Sequence, residues 1–422
     1  MGLRNGLRLS GRRLLLSRGL RNLVLVFAVY TFLEALRVQR VVTGAPRHDP
    51  KRPRRVERVY IAGMHYNDAA LIRDHWAGAV LDLVEALGRD NVFVSVYESG
   101  SWDDSKAALR TLDDELGRRG VRRNVVLDDK THLQEVEAVP ADREAREGWI
   151  TTPRGKREMR RIPFLARLRN LTLKDLWKLG EEGEVFDKVL FLNDVVFTTD
   201  DVLALLDTNN GLYAAACSLD FAQPPYYYDT FALRDSEGQG HLMPTWPYFR
   251  SRASREAMEA YADAVPVRSC WNGIVAMPAA PFLVSRASGR RRLEFRAVPD
   301  SLAEGKHLEA SECCLIHADN PLSESLGVFL NPRVRVGYST GAYEGTHPRH
   351  DGGGSWLSLW RIVVGTWEAR VRRLLTSDRV KEWVVRKRVG EWEAEGPGRE
   401  EKGVHCLINE GQVLVYNGWA HV

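Results

Sequence analysis

The chain has 422 residues, 44% of them hydrophobic and 27% charged, which excludes a disordered protein and leaves room for one large enzyme domain with appendages. Its formal net charge of +4 is small for that length and gives no case for nucleic acid as a partner. The five cysteines show no CxxC and no Cys/His spacing of a zinc site.

At the N-terminus, Arg4, Arg8, Arg12, Arg13, Arg18 and Arg21 precede the apolar run 23–33, and no acidic residue comes before Glu34. The run is short for a full span, which needs about 20 apolar residues. Helical continuation through Glu34, Ala35 and Leu36, with Arg37 snorkelling, makes up part of the deficit. Positive charge upstream predicts a cytoplasmic N-terminus and a lumenal body in the Golgi or endoplasmic reticulum. No small-x-small cleavage site follows directly, so an uncleaved anchor is favoured over a removed signal peptide, and the continuous apolar run argues against a mitochondrial presequence. Residues 1–37 are therefore read as tail and signal anchor, and 38–55, with Pro46, Pro50 and Pro53, as an exposed stem.

The folded part begins near Val56. VERVYIAGMHYND predicts a short strand that breaks at Gly63, and LIRDHWAGAVLDLVEALG a helix closed by Gly88. NVFVSVYESGS is a second strand, SKAALRTLDDELGRRG a second helix, and 124–127 a third strand. This alternation predicts a parallel sheet of nucleotide-binding type. Neither GxGxxG nor GxxxxGK[ST] is present at the first turn, which disfavours dinucleotide and P-loop chemistry. At the end of the second strand Glu98, Ser99, Gly100 and Asp103 offer groups for a ribose, and the ordinary alternative is that Asp103 caps the next helix. The basic run 154–161 is either a solvated face or, with Arg157, Arg160 or Arg169, a phosphate contact. IPFLARLRNLTLKDLWKLG reads as a helix, so the sequon at Asn170 is an improbable glycosylation site.

VLFLNDVVFTT, 189–199, is the central stretch. Four successive apolar residues predict a strand buried on both faces, ending at Asn193-Asp194 on the sheet edge where α/β proteins bind ligands. A carboxylate there can hold a divalent cation that neutralises a diphosphate. The alternative is a turn that caps the following helix, VLALL. GLYAAACSLDF is another buried strand, and the Tyr- and Asp-rich segment after it, including Asp229, suits sugar rings. Asn272-Gly273 opens an apolar strand as a tight turn. HLEASECCLIHADNP sets Glu309, Glu312, His317 and Asp319 around an apolar Cys-Cys-Leu-Ile strand, in which His317 alone reads best as a satisfied core histidine.

The motifs VYIAGMHYND, NVFVSVYESGS, RIPFLARLRN, FLNDVVF, YYYDTFALRD, WNGIVAMP, FRAVPDSLA and SECCLIHADNP, in this order from about Val56 to Tyr338, resemble the fungal capsule-associated α-1,3-mannosyltransferases, glycosyltransferase family 69. The resemblance implies an α/β fold of GT-A type, with a mostly parallel central sheet flanked by helices. It implies GDP-mannose as donor, a mannose-containing glycan as acceptor, a divalent metal, Mn2+ by expectation, and an α-1,3 linkage formed with retention. On this reading Asp194 and His317 are metal ligands, and Glu98, Ser99, Gly100, Asp103, Arg169 and Asn193 bind the donor. Trp271, Asn272 and Gly273 form the acceptor-side loop, and Glu312 and Asp229 are the catalytic carboxylates. One departure is that the acidic motif is Asn193-Asp194-Val195 rather than two aspartates around one residue. A sugar-binding or assembly factor without activity is the competing reading. Residues 56–340 form the expected catalytic domain and 341–422 a C-terminal appendage, a loop to Gly354 followed by helices. An oxidising lumen predicts one or two disulfides and one buried free thiol, with Cys313 and Cys314 on opposite faces of a strand.

Overall fold

The run 189–192 lies at the middle of a ten-stranded sheet in the computed structural model, which describes residues 18–45, 56–140, 147–284, 289, 291–348 and 355–422. The upstream arginines Arg4 to Arg13 and the prolines Pro46, Pro50 and Pro53 lie outside the described residues. In chain order the strands are β1 (Val59–His65), β2 (Val92–Ser99), β3 (Arg122–Asp128), β4 (Trp149–Thr151), β5 (Arg157–Met159), β6 (Lys188–Leu192), β7 (Ala215–Gln223) and β8 (Tyr226–Tyr227). There follow β9 (Arg234–Asp235), β10 (Val265–Ser269), β11 (Ile274–Pro278), β12 (Glu309–Ala310), β13 (Val328–Gly337), β14 (Leu407–Ile408), β15 (Gln412–Val415) and β16 (Gly418–His421).

The main sheet has the order β3-β2-β1-β6-β11-β7-β13-β10-β9, with β8 paired to β7. β3, β2, β1 and β6 are parallel, as are β7 and β13, while β11 runs antiparallel between the two groups. The α/β class and the mostly parallel sheet expected from the sequence are thus observed. Side-chain alternation puts Val59, Ile61, Leu190 and Leu192 into one hydrophobic core and Tyr60, Ala62, Val189 and Phe191 into the other. Both faces are covered by helices, which is why Val189 to Leu192 of β6 are all apolar.

Three expectations are corrected. Residues 38–44 are not a stem: one helix runs from Arg18 to Gly44, and Ala35, Val38 and Val42 are buried in the core of the body. The Cys-Cys-Leu-Ile segment is a helix, Glu312–Asp319, because the Ser311 hydroxyl accepts the Cys313 N–H and caps its start. The two cysteines still part company: Cys314 is bonded to Cys406, Cys217 to Cys270, and Cys313 is a buried free thiol.

The C-terminal region is not an appendage. Within the expected loop, 340–346 is helical and 349–354 lies outside the described residues. After the helices Leu359–Leu375 and Arg379–Ala394 the chain returns to the body as strands. There β14 pairs with β12, and Leu414 enters the core with Tyr97, Trp149 and Phe164. The strand ends that this architecture gathers at one edge of the sheet build the site.

Candidate active site

Parallel strands deliver their carboxyl ends to a common edge. His65 closes β1, Asn193-Asp194 follows β6, Asp220 lies near the end of β7 and Tyr338 follows β13. Antiparallel β11 brings its start to the same edge, and the Asn193 N–H donates to the Gly273 carbonyl at 3.1 Å, one step beyond the β6–β11 pairing. Gly273 has φ +90°, and a Cβ there would lie 2.3 Å from a Val336 methyl, so only glycine fits this turn.

Asp194 is not a helix cap. Thr198 and Asp201 make the capping box of the helix Thr199–Leu206, which leaves the Asp194 carboxylate unclaimed by that helix. Desolvation, and then the charge of Asp68, push its pKa up to about 6, with His65 and Arg169 acting the other way. His65 Nδ1 is 2.6 Å from Asp68 Oδ2, and its buried Nε2 has no hydrogen-bond partner. The segment after Asp194 is pinned to β13 by Val196 N–H donating to the Gly337 carbonyl at 2.7 Å, which brings Tyr338 alongside.

A second acidic group lies beside it. Asp220 is fully buried and accepts from Asn272 Nδ2 at 2.9 Å, from the Tyr338 hydroxyl at 3.1 Å and from the Asp229 N–H at 3.2 Å. Burial, and then the charge of Asp229, raise its pKa to about 6. Asp229 accepts from the N–H groups of Phe231 and Ala232, and it too is raised, first by burial. The helix Arg161–Thr172 supplies one cation to this acidic surround. Arg169 donates to Glu312 at 2.9 Å, and its guanidinium lies 4.6 Å from the Trp271 ring centroid. Trp271 in turn donates to the Asn193 side chain at 3.2 Å. At the rim Tyr226 and Tyr228 are exposed, and Tyr228 leans on Tyr338 with centroids 4.6 Å apart.

The site therefore holds Asp68, Asp194, Asp220, Asp229 and Glu312 around Arg169, with the buried Arg234 also near Asp229. The raised pKa values of Asp194, Asp220 and Asp229 come first from burial and then from neighbouring carboxylates.

Residues 58–319 match the family model described as cryptococcal mannosyltransferase 1. The chain belongs to this mannosyltransferase family. No curated protein matches it. Among solved structures, a Pyrobaculum calidifontis mannosyltransferase in complex with GDP-Man and Mn2+ is 12% identical, with 90% of this chain and 87% of that one covered and a TM-score of 0.37. Glucosyl-3-phosphoglycerate synthase from Mycobacterium tuberculosis, in complex with Mg2+ and uridine diphosphate, is 13% identical, with 68% and 75% covered and a TM-score of 0.31. Likenesses of that degree say nothing about the chemistry of this family member.

Of the residues expected from the sequence, Asp194, Asn193, Arg169, Trp271, Asn272, Gly273, Asp229 and Glu312 come together at this edge of the mannosyltransferase sheet. The turn after β2 serves mainly to build the neighbouring loop. Glu98 is buried and accepts the Ser101 N–H, while Ser99 is buried beside it. A Cβ on Gly100 would lie 2.0 Å from the Lys130 carbonyl oxygen. Asp103 accepts from the N–H groups of Ala69 and Ser105 and so ties the two helix starts together, the N-cap position of the second being Asp104. Arg160 is no phosphate ligand, because Glu309, Asp300 and the Val298 carbonyl take its donors in the interior.

His317 is corrected from metal ligand to core histidine. Its Nε2 is 2.6 Å from the Cys270 carbonyl oxygen, and burial lowers its pKa to about 4. Among the described residues two clusters have the spacing of metal ligands, Cys217/Cys270/His317 and Cys314/His405/Cys406, and in each the sulfurs are joined as a disulfide. Sequence reasoning missed Asp220, Tyr338, His65 and Asp68. Position at a strand end was the available signal for all four.

Proposed function

We propose that this protein is a metal-dependent glycosyltransferase of the GT-A type, moving mannose from GDP-mannose to a mannose-containing acceptor through an α-1,3 linkage with retention. The observation that carries the reading is the acidic site at the carboxyl edge of the sheet, with Asp194 left out of the helix cap that follows it and Arg169 set among the carboxylates. A divalent cation fits there: Asp194 is a hard oxygen donor, and with so few protein ligands the remaining positions fall to water and to phosphate oxygens of the donor, as is usual for Mg2+ and its analogues at nucleotides. Such a cation, Mn2+ by expectation, would neutralise the diphosphate leaving group.

The chain's own residues have separate tasks in this reading. Asn193, fixed by Trp271, holds the Asp194 turn against β11. Arg169 offers positive charge to developing phosphate charge, and Glu312 holds its guanidinium in place. Glu312 also orients the acceptor hydroxyl, and Asp229 faces the same space. Asp220 ties Asn272, Tyr338 and the Asp229 backbone together. The turn after β2, with Glu98, Ser99, Gly100 and Asp103, shapes the β1 loop on the nucleoside side. Tyr226 and Tyr228 offer ring faces to the acceptor glycan. The N-terminal helix anchors the chain in a Golgi or endoplasmic reticulum membrane with the body in the lumen.

The purified full chain in detergent, given a panel of nucleotide sugars, Mn2+ and α-mannobiose acceptors, tests the proposal. Mn2+-dependent mannose transfer from GDP-mannose, abolished by a chelator, is expected. Binding of mannosides without turnover of any donor would favour the non-catalytic reading.

A further inference from the structure

The helix Leu359–Leu375 has two apolar faces. Ile362, Gly365, Thr366 and Ala369 face the body, and Gly365 sits so close that a Cβ would lie 2.2 Å from the Trp246 carbonyl oxygen. Trp360, Val364, Trp367, Val371 and Leu374 recur at alternating spacings of four and three, which places them on a second stripe along the same helix. Trp360 is 74% exposed, Leu374 85% and Leu375 79%. Val380 and Trp383 of the next helix, Arg379–Ala394, extend the apolar surface.

One neighbour of this stripe says what covers it. The N-terminal helix Arg18–Gly44 is long and apolar enough to cross a membrane, and the helix Leu359–Leu375 packs against it. Phe27 and Trp367 have ring centroids 4.6 Å apart, Trp367 donates to the Thr31 hydroxyl at 3.2 Å, and Arg370 pairs with Glu34 at 2.5 Å. No linker separates this helix from the body, because Ala35, Val38 and Val42 are already in the core. Residues 19–34, outside the core, span roughly 24 Å as helix, against a hydrocarbon core of about 30 Å. A bilayer crossed by residues 19–34 therefore reaches the protein surface beside Phe27 to Glu34, where the stripe lies. Arg361, Arg372 and Arg379 border it, and tryptophan with arginine is the composition of a membrane interface.

We propose that the helix Leu359–Leu375 is a second membrane element, lying in the interface of the bilayer that the N-terminal helix crosses. The inference rests on the anchoring reading and extends it: the mannosyltransferase body is held flat on the membrane rather than tethered at a distance. The site then stays at a fixed height above the lipid, as suits an acceptor carried on or near that surface.

Three single-cysteine labelling variants of the full chain, reconstituted in phosphatidylcholine vesicles, test it: Leu374→Cys, Leu25→Cys in the anchor and Asp114→Cys on an exposed helix of the body. The native thiols do not compete, since four are in disulfides and Cys313 is buried. Each variant carries an environment-sensitive fluorophore and is read with and without spin-labelled lipid. Quenching at 374 at least about threefold that at 114 is expected, as for side chains immersed in the headgroup boundary. Quenching at 25 with none at 374 would overturn the proposal and leave the anchor standing. Quenching at neither would remove both. A blue-shifted but unquenched label at 374 that reddens on dilution to one protein per vesicle would assign the stripe to a second copy of the chain and also overturn the proposal.

Discussion

Two groups of buried charge are fed by the same segment of chain, and they are built in opposite ways. Arg160, just before the helix Arg161–Thr172, meets Glu309 through two bonds of 3.0 and 2.7 Å, Asp300 at 2.6 Å and the Val298 carbonyl at 2.9 Å. Its donors are matched by acceptors, and it closes β12 and the helix Asp300–Lys306 onto the body. Arg169, within that helix, is bonded to Glu312 and lies among Asp194, Asp229 and Glu312, with Arg234 also near Asp229. The first group is a lock, one guanidinium whose nitrogens are all taken by two carboxylates and a carbonyl. The second sets several carboxylates at the ligand edge of the sheet, where perturbed buried carboxyls are common at functional sites.

The largest expected effect separates the two groups by function. Asp194→Asn keeps shape and loses charge, so metal-dependent transfer should fall on the order of a thousandfold, while circular dichroism and the unfolding midpoint stay at or above the parent values. An Asn variant that transfers mannose normally would remove Asp194 from the chemistry, and one that fails to fold would make it structural.

Next comes the lock. Arg160→Met leaves the buried Glu309 without its ion-pair partner and should cost about 3–5 kcal/mol of stability, read by chemical denaturation. A loss below 1 kcal/mol would show that water or local rearrangement compensates the pair, which would erase the contrast with the site.

The third prediction uses pH to titrate the site. The pKa of Asp220, about 6 in the folded protein, lies above the ordinary 3.8, so the folded state holds this proton more tightly than the unfolded chain does. That contribution to stability is present at low pH and is lost as pH rises from about 4 through about 6. Asp220→Asn removes the titration, so relative to the parent the variant should gain stability between pH 4 and pH 7, by at most about 3 kcal/mol. Denaturation curves of both proteins at the two pH values measure it, and a parent that loses nothing relative to the variant would mean that the pKa of Asp220 is not raised by folding.

The smallest effect belongs to Tyr338→Phe, which deletes the hydroxyl bonded to Asp220 at 3.1 Å. About 1 kcal/mol of stability should go with the lost hydrogen bond, together with a modest fall in kcat and little change in KM for acceptor. A variant as impaired as Asp194→Asn would promote Tyr338 to a group that touches substrate.

The sequence made the central strand and its terminal Asp194 legible because a doubly covered strand must be apolar throughout and the first polar residue past it meets the ligand edge. Asn272-Gly273 was legible through glycine chemistry, Arg169 as a candidate phosphate contact beside a basic run, Asp229 in a Tyr- and Asp-rich segment, and Glu312 through the resemblance. The helix Glu312–Asp319 was misread as a strand because its residues Glu312 to His317 are all buried, so it shows no amphipathic period. His317 was assigned as a ligand only through the resemblance, whereas its own context already read as the core histidine that the bond to the Cys270 carbonyl makes it. Asp220 and Tyr338 were missed for a related reason: β7 and β13 pair in parallel, and the sequence does not say which strand ends become neighbours. The return of the C-terminus to β12 depends on the Cys314–Cys406 disulfide and on short strands that carry no pattern of their own.

The central claim is that the carboxylates around Asp194 bind a cation together with a nucleoside diphosphate sugar. Calorimetric titration of GDP-mannose into the full-length protein, with Mn2+ or with chelator, and into Asp194→Asn, tests it most directly. The account predicts binding by the parent only when Mn2+ is present, and none by the folded variant under either condition. Equal affinity with and without the metal, or an unchanged affinity in Asp194→Asn, would contradict it.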